Sequence, residues 1–246
     1  MRAKTVGVSL WLLACAAFPA CGAETNAPFV VWDVTFDGQR LDAAPAGLSK
    51  EQREAFSAKG DLSWLPLRAV SQLLHVTRTR QAKVVRAAAG LADTPLLFTF
   101  TENAEPQYGP QVWLNVPYEL AMKAAKWRLS LDVAKGDVSI SGGVTAWDVF
   151  SLLFHEDGTL RANGVQIARY AAGKPLHVDS LIDVSEKTVT VTVDGDPSTR
   201  TTLRWYQPKA TRFASLRLDG LLPGGHGETP SSIAFDNIRL VLAETR

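Results

Sequence analysis

Apolar and polar residues alternate with a period of two through most of this chain, and that pattern sets what it can fold into. Trp127-Arg-Leu-Ser-Leu-Asp-Val133 puts Trp127, Leu129, Leu131 and Val133 on one side. Thr188-Val-Thr-Val-Thr-Val193 and Ala214-Ser-Leu-Arg-Leu218 repeat the pattern, and Val30 to Phe36 (VVWDVTF) opens it. Successive side chains of a strand point to opposite faces, so each run reads as a half-buried antiparallel strand. Leu96 to Phe100 and Val149 to Phe154 are more uniformly apolar and read as central strands buried on both faces. Turn residues separate the runs. Asp157-Gly158 lies between SLLFHE and TLRA, a two-residue hairpin signal. Asn163-Gly164 marks the next turn, and Asp194-Gly195-Asp196-Pro197 ends the valine-threonine strand. Gly142-Gly143 and Pro223-Gly224-Gly225 read as looser loops.

Two segments break the pattern. Ser49 with Gln52 three residues on resembles a capping box, and the residues up to Gly60 read as a short helix. Pro117 to Lys126 reads as one helical turn or a spanning segment. Neither alternates with strands in the way a parallel βαβ sheet needs. No internal repeat or low-complexity linker divides the chain. The expectation is one all-β domain over 24–246, with a less regular stretch at about 40–90 and one short helix in the N-terminal third.

Composition narrows the function classes. A chain of 246 residues that is 46% hydrophobic and 21% charged can bury a core without a metal or disulfide staple. A net charge of +1 excludes a broadly basic nucleic-acid binder, so no nucleic-acid partner is expected. Mean hydropathy near zero argues against a multi-span helical membrane protein.

The N-terminus reads as an export signal over 1–23. Arg2 and Lys4 precede an apolar run from Val6 to Ala17, and small residues up to Ala23 precede the first acid, Glu24. The run falls short of the roughly 20 residues a spanning helix needs. Both cysteines, Cys15 and Cys21, lie inside it, so cleavage after Ala23 leaves a cysteine-free chain in the periplasm or outside the cell. Leu12-Leu13-Ala14-Cys15 also resembles a bacterial lipoprotein box, and Phe18-Pro19-Ala20 before Cys21 is a poorer match. A lipid anchor at Cys15 or Cys21 is the one membrane contact the sequence offers.

Four segments, taken in order, resemble the concanavalin A-like, or laminin G-like, jelly-roll superfamily. They are Trp127 to Val133 (WRLSLDV), Phe150 to Gly164 (FSLLFHEDGTLRANG), Thr188 to Gly195 (TVTVTVDG) and Ser232 to Val241 (SIAFDNIRLV), the last read as the strand that returns to pair with the first. The resemblance implies a two-sheet antiparallel jelly-roll β-sandwich and often a sugar, protein or calcium ligand. It does not imply one activity.

Catalytic signatures are missing from the sequence. Glycoside hydrolases on this fold carry an E-x-D-x-x-E strand, and no Glu here starts one. His75, His155, His177 and His226 lack zinc spacing, and no G-x-S-x-G elbow occurs. Phe36-Asp37-Gly38-Gln39-Arg40-Leu41-Asp42 resembles the opening of 3-keto-disaccharide hydrolase-like domains, which keeps a secreted glycan-active enzyme as the alternative. A structural or protein-binding envelope component is a third class.

No cofactor is required, and calcium is the expected metal if one binds. Asp37 and Asp236 come close if the first and last strands pair. The expected ligand site is aromatic. Gln111, Trp113 and Asn115 share one strand face, with Tyr118 following and Trp147, Trp205 and Tyr206 flanking nearby loops. An indole stacks on the C–H face of a sugar while amides read its hydroxyls. The expected function is therefore a non-catalytic carbohydrate-recognition module of the cell envelope, with a glycan partner on the concave sheet.

Overall fold

The computed structural model describes residues 29–43, 74–77, 82–100, 111–138, 142–219 and 231–246. The export segment with Cys15 and Cys21, the helix expected over 49–60, Pro223 to Gly225 and His226 lie outside the described residues.

The described elements in chain order are β1 (Phe29–Val34), β2 (Leu74–Thr77), β3 (Ala82–Val84), β4 (Leu96–Phe100), β5 (Gln111–Asn115), α1 (Tyr118–Lys123), β6 (Ala124–Lys135), β7 (Gly142–Ala146), β8 (Phe150–Phe154), β9 (Thr159–Ala162), β10 (Val165–Arg169), β11 (Leu176–Asp183), β12 (Thr188–Val193), β13 (Asp196–Arg204), β14 (Ser215–Asp219) and β15 (Ser231–Thr245). They form two sheets. One runs β13-β12-β11-β6-β15-β4-β3 and carries β1 on β15 as its eighth strand. The other has seven strands in the order β10-β9-β8-β7-β14-β5-β2. Every pairing is antiparallel. The last strand does return to the first: Val34 faces Ile238 and Phe29 faces Leu242.

The period-two runs become the facing inner surfaces. Trp127, Leu129, Leu131 and Val133 of β6 are all buried, as are Val189, Val191 and Val193 of β12. From the other sheet Val112, Leu114, Val144, Leu152, Leu216 and Leu218 meet them in one apolar cluster. Each such side chain contributes roughly 1.5–3 kcal/mol by leaving water. Phe213 packs edge-to-face between two indoles, 6.0 Å from Trp32 and 6.2 Å from Trp127. The inner face also admits one cation: Lys135 continues the face of Trp127 and is 1% exposed. Its Nζ donates to Ser231 Oγ at 2.8 Å and lies 3.4 Å from Asp137 Oδ1. Burial lowers its pKa, and Asp137 opposes that shift.

The turn signals are realised as hairpins. Asp157-Gly158 closes a four-residue connection, 155–158, between β8 and β9 rather than a two-residue turn, and Asn163-Gly164 joins β9 to β10. Asp194-Gly195 joins β12 to β13, with φ of 51° and 68° as a type I′ turn requires.

Two expectations about strands are corrected. β4 and β8 are not buried on both faces; each alternates, with Thr99 exposed and Ser151 and Leu153 half-buried. Leu97 is apolar because a small outer cluster of Ala88, Ala89, Leu91, Ala134 and Ala234 packs over it. Gly142-Gly143 is not a loop but the start of β7, and a Cβ on Gly143 would lie 2.0 Å from the Leu152 carbonyl oxygen. Of the two readings of Pro117 to Lys126, the helical one is present as α1, which follows Pro117. It buries Leu120 and Ala121 and ends where Ala124 turns extended.

Candidate functional site

The outer face of the seven-stranded sheet holds the aromatic candidates. On β5, Val112 and Leu114 point into the core, so Gln111, Trp113 and Asn115 point outward, half-buried. Leu216 and Leu218 likewise turn Ser215, Arg217 and Asp219 outward from β14. Val144 and Ala146 turn Thr145 outward, and the same period carries Trp147 to that side just beyond β7. Register then fixes who meets whom. Arg217 is opposite Trp113 on one side and Thr145 on the other, while Asp219 is opposite Gln111 and Gly143.

These residues make one connected arrangement. The rings of Trp113 and Trp147 lie 5.9 Å apart, tilted by 44°. The Arg217 guanidinium sits over both, 5.2 Å from the Trp113 centroid and 5.4 Å from that of Trp147. Arg217 Nε donates to Asp219 Oδ2 at 2.8 Å, and Thr145 Oγ1 donates to the same oxygen at 3.0 Å. Asp219 Oδ1 lies 2.7 Å from Arg217 Nε in the ion pair, without the geometry of a hydrogen bond. Asp219 is 1% exposed, whereas the Arg217 side chain keeps 17%. Burial raises the Asp219 pKa, and the Arg217 charge and the hydrogen bonds from Arg217 and Thr145 pull it back. The carboxylate thus anchors the guanidinium, which lies over the two adjoining indoles.

The other predicted site residues fall differently. Asn115 is aligned with Trp113, and its carbonyl accepts the Trp32 indole N–H at 3.0 Å. Gln111 sits at the other end of the same row. Tyr118 is not on the sheet; it opens α1, is exposed, and carries Arg212 4.7 Å over its ring. Trp205 does not extend the platform. The inward period of Thr201 and Leu203 continues through it, leaving it 3% exposed with its Nε1 donating to the Thr188 carbonyl at 3.1 Å. Tyr206 next to it is exposed. Arg217, Asp219 and Thr145 were not expected. The signal was present, since an Arg and an Asp two apart on an alternating strand share a face.

Asp37 and Asp236 lie on the eight-stranded sheet. Asp236 is Cα-paired with Asp132, which is paired in turn with His177. Here β15 changes partner from β1 to β4, so Asp37 after β1 and Asp93 before β4 approach Asp236. Burial lifts the Asp236 pKa to about 6; the backbone N–H of Asn237 opposes this, and the charges of Asp37, Asp132 and Asp93 add to it. Asp132 accepts from the Asn237 amide at 2.7 Å, with His177 Nδ1 2.5 Å away. Among the described residues, no group of three or more His, Cys, Asp or Glu is arranged to hold a metal ion.

No protein-family model matches the chain, and no curated protein matches it by sequence. Solved structures match by shape. A sialidase superposes with a TM-score of 0.54 at 18% identity, over 83% of this chain and 19% of its own. A structure described as "Cell entry of botulinum neurotoxin type C is dependent upon interaction with two ganglioside molecules" superposes with a TM-score of 0.50 at 6% identity, over 70% of this chain and 43% of its own. The chain therefore spans less than half of either. At these identities the likeness concerns the fold, a concanavalin A-like jelly-roll sandwich of two antiparallel sheets.

Proposed function

We propose that this chain is an exported, non-catalytic module of the cell envelope that binds glycans on the outer face of its seven-stranded sheet. The observation that carries the reading is the pair Trp113 and Trp147, 5.9 Å apart, with Arg217 held over both rings by a buried carboxylate. Indole faces stack on sugar C–H surfaces, and a fixed guanidinium with neighbouring amides reads hydroxyl or acid oxygens. A buried ion pair adds little net stability, and what Asp219 supplies here is a fixed position for Arg217. The shape likeness to a sialidase and to a ganglioside-dependent toxin domain agrees with a glycan role for this fold.

The enzyme alternative has its best observation on the opposite sheet, where Asp132 and Asp236 are cross-strand neighbours. There Asp236 is 2% exposed and Asp132 is engaged by His177 and Asn237, which leaves a glycosidic oxygen little approach to either. The test of the recognition reading is a glycan array probed with the purified chain and with Trp113→Ala. Binding to a defined set of glycans that the variant loses is the expected result. A blank array with the parent chain overturns the reading.

A further inference from the structure

We infer that the ligand of this face is a sugar bearing a carboxylate, taken end-on by Nη1 and Nη2 of Arg217; the inference rests on the glycan-binding reading above. Arg217 spends only Nε on Asp219, and among the described residues nothing accepts from its two terminal nitrogens. Those nitrogens form the second edge of a planar fork, whose spacing matches the two oxygens of a carboxylate. The fork is not free to wander. Asp219 fixes it at one edge, and it rests over the adjoining rings of Trp113 and Trp147, so less side-chain entropy remains to be lost on binding.

The charge layout has a direction. On the described outward positions of β5, β14, β7 and β8 the one carboxylate is Asp219, and it lies under the surface at 1% exposure. The cation above it keeps its solvent contact. An arriving ligand therefore meets the positive end of the pair first, with the exposed face of Trp147 beside it. Half-buried Leu153 lies opposite Gly143, and Gly143 is itself opposite Asp219. A sugar ring on Trp147 with its acid group on Arg217 uses every element of this arrangement. A neutral sugar leaves the second edge of the fork to water.

Titration calorimetry on the full chain with two matched pairs tests this. One pair is an oligogalacturonate and its carboxyl-reduced counterpart; the other is sialyllactose and lactose. The acid member of at least one pair should bind tenfold or more tightly than its neutral partner, and the pair that responds identifies the kind of acid sugar. Arg217→Lys keeps the charge beside Asp219 but not the fork, so it should lower the acid member's affinity at least tenfold while Tm stays close to the parent. Equal binding of acid and neutral members, or full affinity in Arg217→Lys, overturns the carboxylate proposal and leaves glycan recognition standing. If no member of either pair binds and the glycan array is also blank, both readings fall. If the array shows only neutral glycans bound, only the carboxylate proposal falls.

Discussion

The two sheets present alike inner faces and unlike outer ones, and the contrast separates what holds the fold from what the fold carries. Inward, both show the same aliphatic and aromatic alternation. Outward, the eight-stranded sheet is largely polar, apart from the small apolar cluster over Leu97. Thr190 and Thr202 bond across β12 and β13 at 2.8 Å, and His177, Asp132 and Asp179 form a partly exposed chain of ion pairs. Such groups keep a sheet face wet and discourage stacking with other sheets. The seven-stranded sheet instead leaves two indoles in contact with a fixed cation and buries an acid beneath it. Solvation alone requires none of that.

The largest effect belongs to the shared interior. Trp127→Ala should cost about 3–5 kcal/mol in urea unfolding, as expected for a large side chain with no solvent exposure. Trp127→Phe should cost far less, because the indole Nε1 has no hydrogen-bond partner and its removal relieves a buried donor. Equal losses in the two variants would show that the indole N–H is satisfied after all. Neither substitution reports on the outer faces, which makes the pair a reference for variants of the two surfaces.

Next comes the ion pair. Arg217→Leu alone leaves Asp219 buried and unpaired and should destabilise by about 3 kcal/mol at pH 7. The Asp219 pKa is already raised by burial, so the folded chain holds that proton more tightly than the unfolded one. The cost of losing Arg217 should therefore shrink as the pH falls toward the ordinary carboxylate value, where Asp219 can be neutral. Arg217→Leu with Asp219→Asn removes both charges, keeps an acceptor for Thr145, and should recover most of the stability without recovering glycan binding. If the double variant stays as unstable as the single one, the pair is structural and the functional contrast between the faces weakens.

A smaller effect is read in affinity. Trp147→Ala, at a half-exposed ring, should weaken the best array ligand about tenfold, or about 1.4 kcal/mol. Thr202→Ala on the other sheet should leave that affinity unchanged. Both should keep Tm near the parent value. Loss of affinity in Thr202→Ala would move the ligand to the eight-stranded side.

Much of this division is legible in the chain, and its gaps have physical causes. Period two places Trp127 inside and Trp113 outside, because a strand offers only two faces. The D-G and N-G dipeptides mark the hairpin turns, since glycine, asparagine and aspartate tolerate positive φ better than other residues. What the pattern does not give is order across the sheet. β14 lies between β5 and β7, although it comes many residues after both, so the meeting of Arg217 with Trp113 and Trp147 depends on a long-range register. Trp205 is misplaced on the platform when proximity to a turn is weighed above the inward period of Thr201 and Leu203. Gly142-Gly143 is ambiguous because glycine serves both loops and close strand approach, and only the neighbouring carbonyl of Leu152 tells them apart.

The smallest effect should come from the solvated face and depend on pH. Burial lowers the His177 pKa, but the hydrogen bond to Asp132 and the charges of Asp179 and Asp132 outweigh it, so the net shift is upward from 6.5. A His whose pKa is raised on folding adds stability that is complete below its unfolded value and disappears as the pH climbs through the folded one. His177→Gln should therefore lower Tm at pH 5.5 and leave it unchanged at pH 9. The side chain is 46% exposed, so solvent screening should hold the loss below about 1 kcal/mol, against about 3 kcal/mol for the Arg217–Asp219 pair with its buried carboxylate. A loss at pH 5.5 as large as that of Arg217→Leu at pH 7 would erase the distinction, because it would mean that both faces shelter their charges equally well.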